Sequence, residues 1–146
     1  MSDLPRAAGT LLRIAVLVTA LHLISSGLGL LDAATALTIS VSINVVLFLV
    51  GAVVFTVAFV LAAGRSRDEE LWFGGVFFLT GEVVAASHRR LLFICLGVQV
   101  VVGLTVAALR PFTAAAFAVL VPLLGLGLIA LYGARYGRFP ARTVQS

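Results

Sequence analysis

Four apolar runs, each close to the length of a membrane-spanning helix, occupy most of this 146-residue chain. A helix needs about 20 predominantly apolar residues to cross the hydrocarbon core of a bilayer. The runs predict spans at about 12–31, 41–63, 91–109 and 112–132. Charged residues make up only 11% of the chain, too few to cover a soluble globule of this size. The sequence therefore predicts an all-α membrane protein with one transmembrane domain over residues 1–146.

The connections between the runs are short. Asp32 ends the first run, and the segment Ala33 to Ser42, which contains hydroxyl side chains and no basic residue, is predicted as an outer loop. The first run also resembles a secretory signal with a cleavage site at residues 34–36, but it is longer than a usual signal core of ~7 to 15 residues, which favours a retained helix. Only Arg110-Pro111 separates the last two runs, which predicts a tight antiparallel hairpin.

The segment 64–90 is the place where charges of both signs meet aromatic side chains. Gly64 stands where a helix C-terminal glycine is expected, and Ser66 to Glu69 has the spacing of a capping box, which predicts a short helix starting at Ser66. Its apolar continuation, Leu71 to Leu79, is too short to span. We predict that this exposed apolar block lies flat at the inner membrane interface or under the bundle. The block contains the aromatic residues Trp72, Phe73, Phe77 and Phe78.

All basic residues are arginines, and they are distributed unevenly over the predicted topology. Arg110 stands alone on one side. The nine on the other side are Arg6, Arg13, Arg65, Arg67, Arg89, Arg90, Arg135, Arg138 and Arg142. Membrane proteins concentrate basic residues in their cytoplasmic loops. This rule predicts that both termini and the segment 64–90 are cytoplasmic, and it accounts for the net charge of +4 without a nucleic-acid partner.

Three polar side chains, His22, Asn44 and Gln99, fall inside the predicted spans. An ionisable residue in the bilayer core is costly and indicates either an ion pathway or a neutral histidine that is hydrogen-bonded to a neighbouring helix. The second interpretation is preferred because no intramembrane carboxylate is available as a charge partner. The hydroxyl side chains that would complete the lining of a pathway are Ser25, Ser26 and Thr105.

Two further features of the spans concern helix packing. Pro122 lies within the fourth run and predicts a kink there, because proline removes one backbone hydrogen bond. Small residues allow helix backbones to approach closely in lipid, so the glycines of the runs predict helix contacts. These glycines are Gly27, Gly29, Gly51, Gly97, Gly103, Gly125 and Gly127.

The sequence contains no catalytic constellation. It has no Ser/His/Asp order, no histidine spacing typical of a metal site, no phosphate-binding glycine loop and no CxxC motif. Cys95 is the single cysteine and lies in an apolar run, where a buried apolar role is expected. We therefore expect no enzymatic activity, no cofactor and no metal.

Three functions remain open. The first is a non-enzymatic accessory or scaffold subunit that packs against a larger membrane-protein partner or itself, using the Leu71 to Leu79 block and above all Trp72, Phe77 and Phe78. The second is a small homo-oligomeric channel or transporter lined by the three intramembrane polar side chains. The scaffold interpretation is preferred because the apolar block needs a surface to cover it and no paired intramembrane charges exist.

The third possible function is binding of anionic lipid at the inner leaflet. Each basic residue near an anionic leaflet contributes about 1 kcal/mol to such binding. The candidate contacts are Arg65, Arg67, Arg89 and Arg90. Topology signalling together with pairing to acidic neighbours explains the same arginines equally well. These acidic neighbours are Asp68, Glu69, Glu70 and Glu82.

Several short motifs resemble a known family. They are GRSR at 64–67, the Leu71 to Leu79 block, RPFT at 110–113, and the ending from GLGL at 125–128 to GAR at 133–135. In these the chain resembles an uncharacterised actinobacterial family of small four-helix integral membrane proteins. The resemblance implies placement in the bacterial plasma (inner) membrane, and the all-arginine basic complement is compatible with a high-GC genome. It carries no functional residues over to this chain.

Overall fold

The computed structural model describes residues 4–31, 33–80 and 83–141, which form a bundle of helices. The helices are α1 (Leu4–Gly29), α2 (Ala34–Arg65), α3 (Phe73–Phe77), α4 (Ala86–Leu109), a 3-10 helix (Ala114–Leu120) and α5 (Pro122–Tyr136). Four helical segments are long and apolar enough to cross a membrane, namely α1, α2, α4 and the 3-10 helix together with α5. The predicted all-α architecture with four candidate spans is confirmed. Asp32, Glu82 and Arg142 lie outside the described residues.

Helix α5 forms the centre of the bundle. Half of the most apolar window of the fourth span is buried inside the protein, against 17% for α2. Its most extensive packing is against α2, and it also contacts α1, α3 and α4. Gly51 of α2 faces the backbone of Leu124, and Gly127 of α5 faces the backbone of Phe55. The two helices therefore meet backbone to backbone, which lipid-embedded helices achieve with small residues.

The outward surfaces of the outer helices are apolar. On α2 the side chains of Leu49, Val53 and Val60 are each more than half exposed, and Leu17 of α1 is 68% exposed. A soluble monomer rarely exposes contiguous apolar surface on this scale. The surface is the one expected of a helix bundle surrounded by lipid.

The fourth span is interrupted rather than kinked. The sequence predicted a kink within one continuous helix, but the chain forms a 3-10 helix up to Leu120, and Pro122 begins α5. Proline is accommodated at the first turn of a helix because its missing N–H would have no intrahelical partner there. The Val121 N–H donates instead to the Ala118 carbonyl at 3.3 Å, which continues the 3-10 pattern up to the proline.

Helix α2 begins earlier than predicted. The segment Ala33 to Ser42 was expected to be an outer loop, but α2 starts at Ala34. The hydroxyl of Thr38 donates to the Ala34 carbonyl at 2.9 Å, so this polar side chain is satisfied within the helix. The polar residues in this segment therefore do not end the helix. Helix α1 likewise begins at Leu4, before the predicted start of the first span near residue 12.

The prediction of a helix starting at Ser66 is wrong. Helix α2 continues through Gly64, and Ser66 caps its C-terminus, with its N–H donating to the Ala62 carbonyl at 2.9 Å and its hydroxyl to the Ala63 carbonyl at 2.7 Å. The serine therefore ends one helix instead of beginning the next. The helix between the second and third spans is α3, which has five residues.

The Leu71 to Leu79 block is not a uniformly exposed surface. Val76, Phe77 and Leu79 are 3%, 8% and 0% exposed, and α3 packs against α5. Phe77 contacts the Phe55 ring at a centroid distance of 5.6 Å. The block therefore covers the end of the bundle with its own apolar side chains, and the expectation of an exposed block is wrong for these three residues.

Candidate functional site

A buried polar cluster joins α1, α2 and α4. The Nδ1 atom of His22 lies 3.0 Å from Oδ1 of Asn44, and the Ser25 hydroxyl lies 3.1 Å from the same oxygen. An amide oxygen only accepts hydrogen bonds, so this contact places the imidazole hydrogen on Nδ1. The Asn44 amide nitrogen reaches Ser40 Oγ at 3.4 Å. The structure thus brings together two of the three polar residues singled out in the sequence and links two helices through them.

Gln99 of α4 joins this buried polar cluster through Thr19 of α1. Its Nε2 donates to Thr19 Oγ1 at 2.8 Å, and its Oε1 faces Gly125 of α5. Thr19 was not predicted, although it lies three residues from His22 and therefore on the same face of α1. Thr105, which was predicted, is exposed and donates to the Val101 carbonyl of its own helix.

The cluster is enclosed within one chain. Its members are between 0% and 7% exposed, so none of them faces lipid or a neighbouring copy. Within the described part of the chain, two of its buried acceptors, Nε2 of His22 and Oε1 of Gln99, have no hydrogen-bond partner. The arrangement holds three helices together by side-chain hydrogen bonds, as is typical of polar residues between helices in a membrane.

Asn44→Leu is expected to lower the free energy of unfolding by about 1 to 3 kcal/mol. The change removes the nearer acceptor of His22 Nδ1 and leaves this buried donor only the Ser26 hydroxyl, at 3.4 Å. Detergent-induced unfolding followed by circular dichroism measures the difference. Thr105→Val is the control, since this exposed hydroxyl makes only a local helix contact and its loss is expected to change stability by less than about 0.5 kcal/mol. Equal stability of both variants and the parent would exclude a structural role for the cluster.

The arginine-rich end of the bundle is held together by Arg65. Its Nη1 donates to the Ala134 carbonyl at 2.6 Å, and its Nη2 donates to the Gly137 carbonyl at 3.1 Å and to Glu69 Oε2 at 2.5 Å. The guanidinium also lies 5.5 Å from the centre of the Phe139 ring. Arg65 was predicted as a lipid or partner contact, but the structure uses it to cap the C-terminus of α5.

Arg110 has a comparable structural role at the opposite end. Its Nη2 donates to the Leu30 carbonyl at 2.7 Å, just beyond the end of α1. This contact ties the α4 C-terminus to the turn that follows α1. Arg110, like Arg65, therefore binds a backbone carbonyl near the end of a helix.

A cavity of about 580 Å³ opens at the arginine-rich end. Arg89 at the start of α4 and Arg138 after α5 line it together with the rings of Tyr132 and Tyr136, and residues 83–86 form an apolar wall. The backbone N–H of Arg138 donates to the Val83 carbonyl at 3.1 Å, which fixes the segment after α5 against the segment before α4. The cavity therefore combines two arginines and two tyrosines with the aliphatic residues 83–86.

Hydrogen bonds within the protein position two of the polar side chains that line the cavity, Arg89 and Tyr132. Nη1 of Arg89 lies 3.3 Å from the Leu79 carbonyl oxygen, and Tyr132 Oη lies 2.8 Å from Nδ1 of His88. The rings of Tyr132 and Tyr136 are 5.2 Å apart. Neither tyrosine was among the predicted site residues. The sequence did contain a signal for them, since two tyrosines four residues apart lie on one face of a helix, here beside a basic tail.

The remaining predicted contact residues lie elsewhere at the same end. Arg67 and Arg90 are exposed and do not line this cavity. Trp72 and Phe78 are 43% and 51% exposed. The indole of Trp72 donates to Thr80 Oγ1 at 3.2 Å and is edge-on to the Phe139 ring. Of the four predicted lipid-contact arginines, only Arg89 contributes to the cavity.

Comparison with known proteins gives no match to a family model, to a curated protein or to a solved structure.

Proposed function

We propose that this protein is a non-enzymatic membrane protein that binds the phosphate-bearing headgroup of an anionic lipid in the cavity lined by Arg89 and Arg138. The single observation that supports the proposal is the composition of this cavity, in which two arginines and two tyrosines adjoin an apolar wall at one end of a helix bundle. Such a site matches an amphiphile, whose charged head and hydrocarbon chains need different surroundings.

The chemistry of the lining favours phosphate as the ligand group. Arginine presents a planar fork of N–H donors that binds phosphate oxygens in a bidentate manner, and it keeps its charge at all physiological pH values. A tyrosine hydroxyl adds a further donor. The two arginines come from different segments, Arg89 from α4 and Arg138 from the segment after α5, so they can contact different oxygens of one headgroup.

The orientation that fits this function places the arginine-rich end in the cytoplasm. Of the described arginines, all but Arg110 lie in the first half of α1, at the ends of α2, α4 and α5 or in the connections on that side of the bundle. The positive-inside rule then favours a multi-pass protein of the bacterial plasma membrane with both termini inside. The inner leaflet carries anionic lipids, so the cavity would face the lipid class that it is suited to bind.

The structure lends less support to the other two functions considered from the sequence. The scaffold interpretation depended on an exposed apolar block, and of its three named aromatic residues Trp72 and Phe78 are exposed whereas Phe77 is buried within the protein's own bundle. The channel interpretation depended on His22, Asn44 and Gln99, and these side chains lie inside a single chain instead of on a surface where copies could form a pore.

The proposal predicts that anionic phospholipid remains bound through purification and depends on the cavity arginines. Native mass spectrometry of the protein extracted in mild detergent and incubated with phosphatidylglycerol or phosphatidylcholine measures retention. We expect Arg89→Gln/Arg138→Gln to retain about 30-fold less phosphatidylglycerol than the parent, since loss of two cationic contacts of about 1 kcal/mol each corresponds to roughly that factor.

Arg67→Gln/Arg90→Gln provides the matched control for this experiment. It removes the same charge from the same end of the bundle but leaves the cavity lining intact. We expect retention within about threefold of the parent for this control. Equal losses in both double variants would mean that general surface charge attracts the lipid. Equal retention of phosphatidylcholine and phosphatidylglycerol by the parent would exclude a site that selects lipids with a net negative headgroup.

A further inference from the structure

The segment that follows α5 is docked onto the arginine-rich end of the bundle. We call its residues 137–141 the strap. The Glu70 N–H, in the connection before α3, donates to the Pro140 carbonyl at 2.9 Å. The Arg138 N–H donates to the carbonyl of Val83, in the connection after α3, at 3.1 Å. The strap is therefore bonded to the connections on both sides of α3.

One side chain of the strap, Phe139, lies in a socket. Its ring meets the Trp72 ring edge-on at a centroid distance of 5.3 Å, and the Arg65 guanidinium carbon lies 5.5 Å from its centre. Two glycines make room for the ring. A Cβ atom added at Gly75 would lie 2.7 Å from Cε1 of Phe139, and one added at Gly137 would lie 2.7 Å from Cε2. The socket therefore fits an aromatic ring at this position of the strap.

The Arg138 side chain depends on the strap for its position. Arg138 directly precedes Phe139 and lines, with Arg89, the cavity assigned above to an anionic headgroup. Within the described part of the chain, the Arg138 guanidinium makes no hydrogen bond or ion pair that would hold it there. Its place in the cavity therefore comes from the backbone, which the seated Phe139 ring and the two hydrogen bonds of the strap hold.

We propose that Phe139 is a positioning residue for the headgroup cavity, and that docking of the strap and binding of an anionic headgroup strengthen each other. The coupling rests on the proposed function, because it requires an anionic headgroup at Arg138. A headgroup that contacts Arg138 binds the docked protein more tightly than the undocked protein, and by thermodynamic linkage it favours docking by the same factor. One cationic contact corresponds to a factor of about five.

Site-resolved hydrogen exchange of the full-length protein in nanodiscs measures opening of the strap. The reporters are the amides of Arg138 and Glu70, which bond across its two edges. In phosphatidylcholine discs that contain excess phosphatidylglycerol, we expect both amides to exchange about fivefold more slowly than in phosphatidylcholine alone. Arg138→Gln is expected to abolish this lipid dependence, whereas Arg67→Gln, outside the cavity lining, retains it. Equal exchange of the parent in the two lipids would overturn the coupling.

Native mass spectrometry of the protein incubated with phosphatidylglycerol tests the positioning role. We expect Phe139→Ala to retain about fivefold less of this lipid, close to the loss in Arg138→Gln. Phe139→Tyr keeps the ring and is expected to restore retention. Trp72 is the single tryptophan, so stronger acrylamide quenching of its fluorescence in Phe139→Ala reports that the socket is empty of the ring. Retention equal to the parent in Phe139→Ala would overturn the role.

A glycine pair tests the socket without removing the ring. In Gly75→Ala the new methyl group displaces the Phe139 ring, whereas Gly64→Ala meets no atom within 4 Å. Both variants are checked for unchanged helix content by circular dichroism. We expect only Gly75→Ala to lose retention of phosphatidylglycerol, and equal retention in the pair would contradict the socket. Selective retention that depends on Arg89 and Arg138 but not on Phe139 or Gly75 would leave the headgroup cavity standing and remove the strap from it, whereas loss of selectivity in the parent would remove the cavity itself.

Discussion

Arg65→Ala is expected to lower the free energy of unfolding by about 3 kcal/mol or more, the largest effect of any single arginine in the chain. Helix α5 ends at Tyr136, and its last carbonyls have no partners within the helix. Arg65 donates to the carbonyls of Ala134 and Gly137 and places a positive charge at the negative end of the helix dipole. Hydrogen bonds that involve a charged group contribute about 1.5 to 3 kcal/mol each.

Unfolding by sodium dodecyl sulfate in mixed micelles, followed by circular dichroism, measures this loss. Arg65→Lys is expected to recover only part of the stability, because one ammonium group cannot reproduce a planar fork that reaches two carbonyls and Glu69. Arg67→Ala is the control, since this exposed neighbour is expected to change stability by less than about 0.5 kcal/mol. Similar stabilities of the Arg65 and Arg67 variants would show that the cap contributes little.

Gly51→Ala is expected to destabilise the bundle by about 3 kcal/mol, although alanine is the better helix former. A Cβ atom at this position would lie 2.6 Å from the Leu124 nitrogen and 2.8 Å from the Leu124 Cα. Because both atoms belong to a helix backbone, the clash is relieved only if α2 and α5 move apart, and this separation affects the most extensive helix contact in the protein. The cost is at the upper end of the range for overpacking.

Gly97→Ala is expected to raise the free energy of unfolding in the same assay. No atom lies within 4 Å of a Cβ added at Gly97, so only the intrinsic helix preference changes, and we expect a gain of about 0.5 to 1 kcal/mol. The two substitutions are chemically identical and both lie in helices that are candidates to span the membrane. A loss of stability in both variants, or in neither, would contradict the packing described for α2 and α5.

The sequence predicted the helical class and the four candidate spans because span length and apolar composition act on one segment at a time. It failed where the outcome depended on a partner segment. Ser66 has the local pattern of a helix start, but the chain was already helical at this point, and the serine ends α2. Pro122 was expected to bend a continuous helix, whereas the 3-10 helix before it allows α5 to begin at the proline.

In the candidate sites too, properties of a single segment could be predicted, and contacts between segments could not. The hydrogen bond of His22 to a neighbouring helix was expected from the cost of a polar group in the bilayer core, and the structure identifies Asn44 as its partner. The roles of the arginines could not be separated by counting charges on one side. Arg65 binds backbone carbonyls and Arg89 lines a cavity, and this difference depends on where the end of α5 lies relative to α2 and α4.

The central position of α5 has a consequence for biogenesis. During synthesis α1, α2 and α4 emerge before the helix that each of them contacts, so they enter the lipid without their common partner. Until α5 arrives, the face of α2 beside Gly51 lacks its partner, and the three helices have only the contacts of α1 with α2 and α4, which include the hydrogen bonds of His22 and Gln99. Insertion of the fourth span is thus the step that completes the packing of all the other spans.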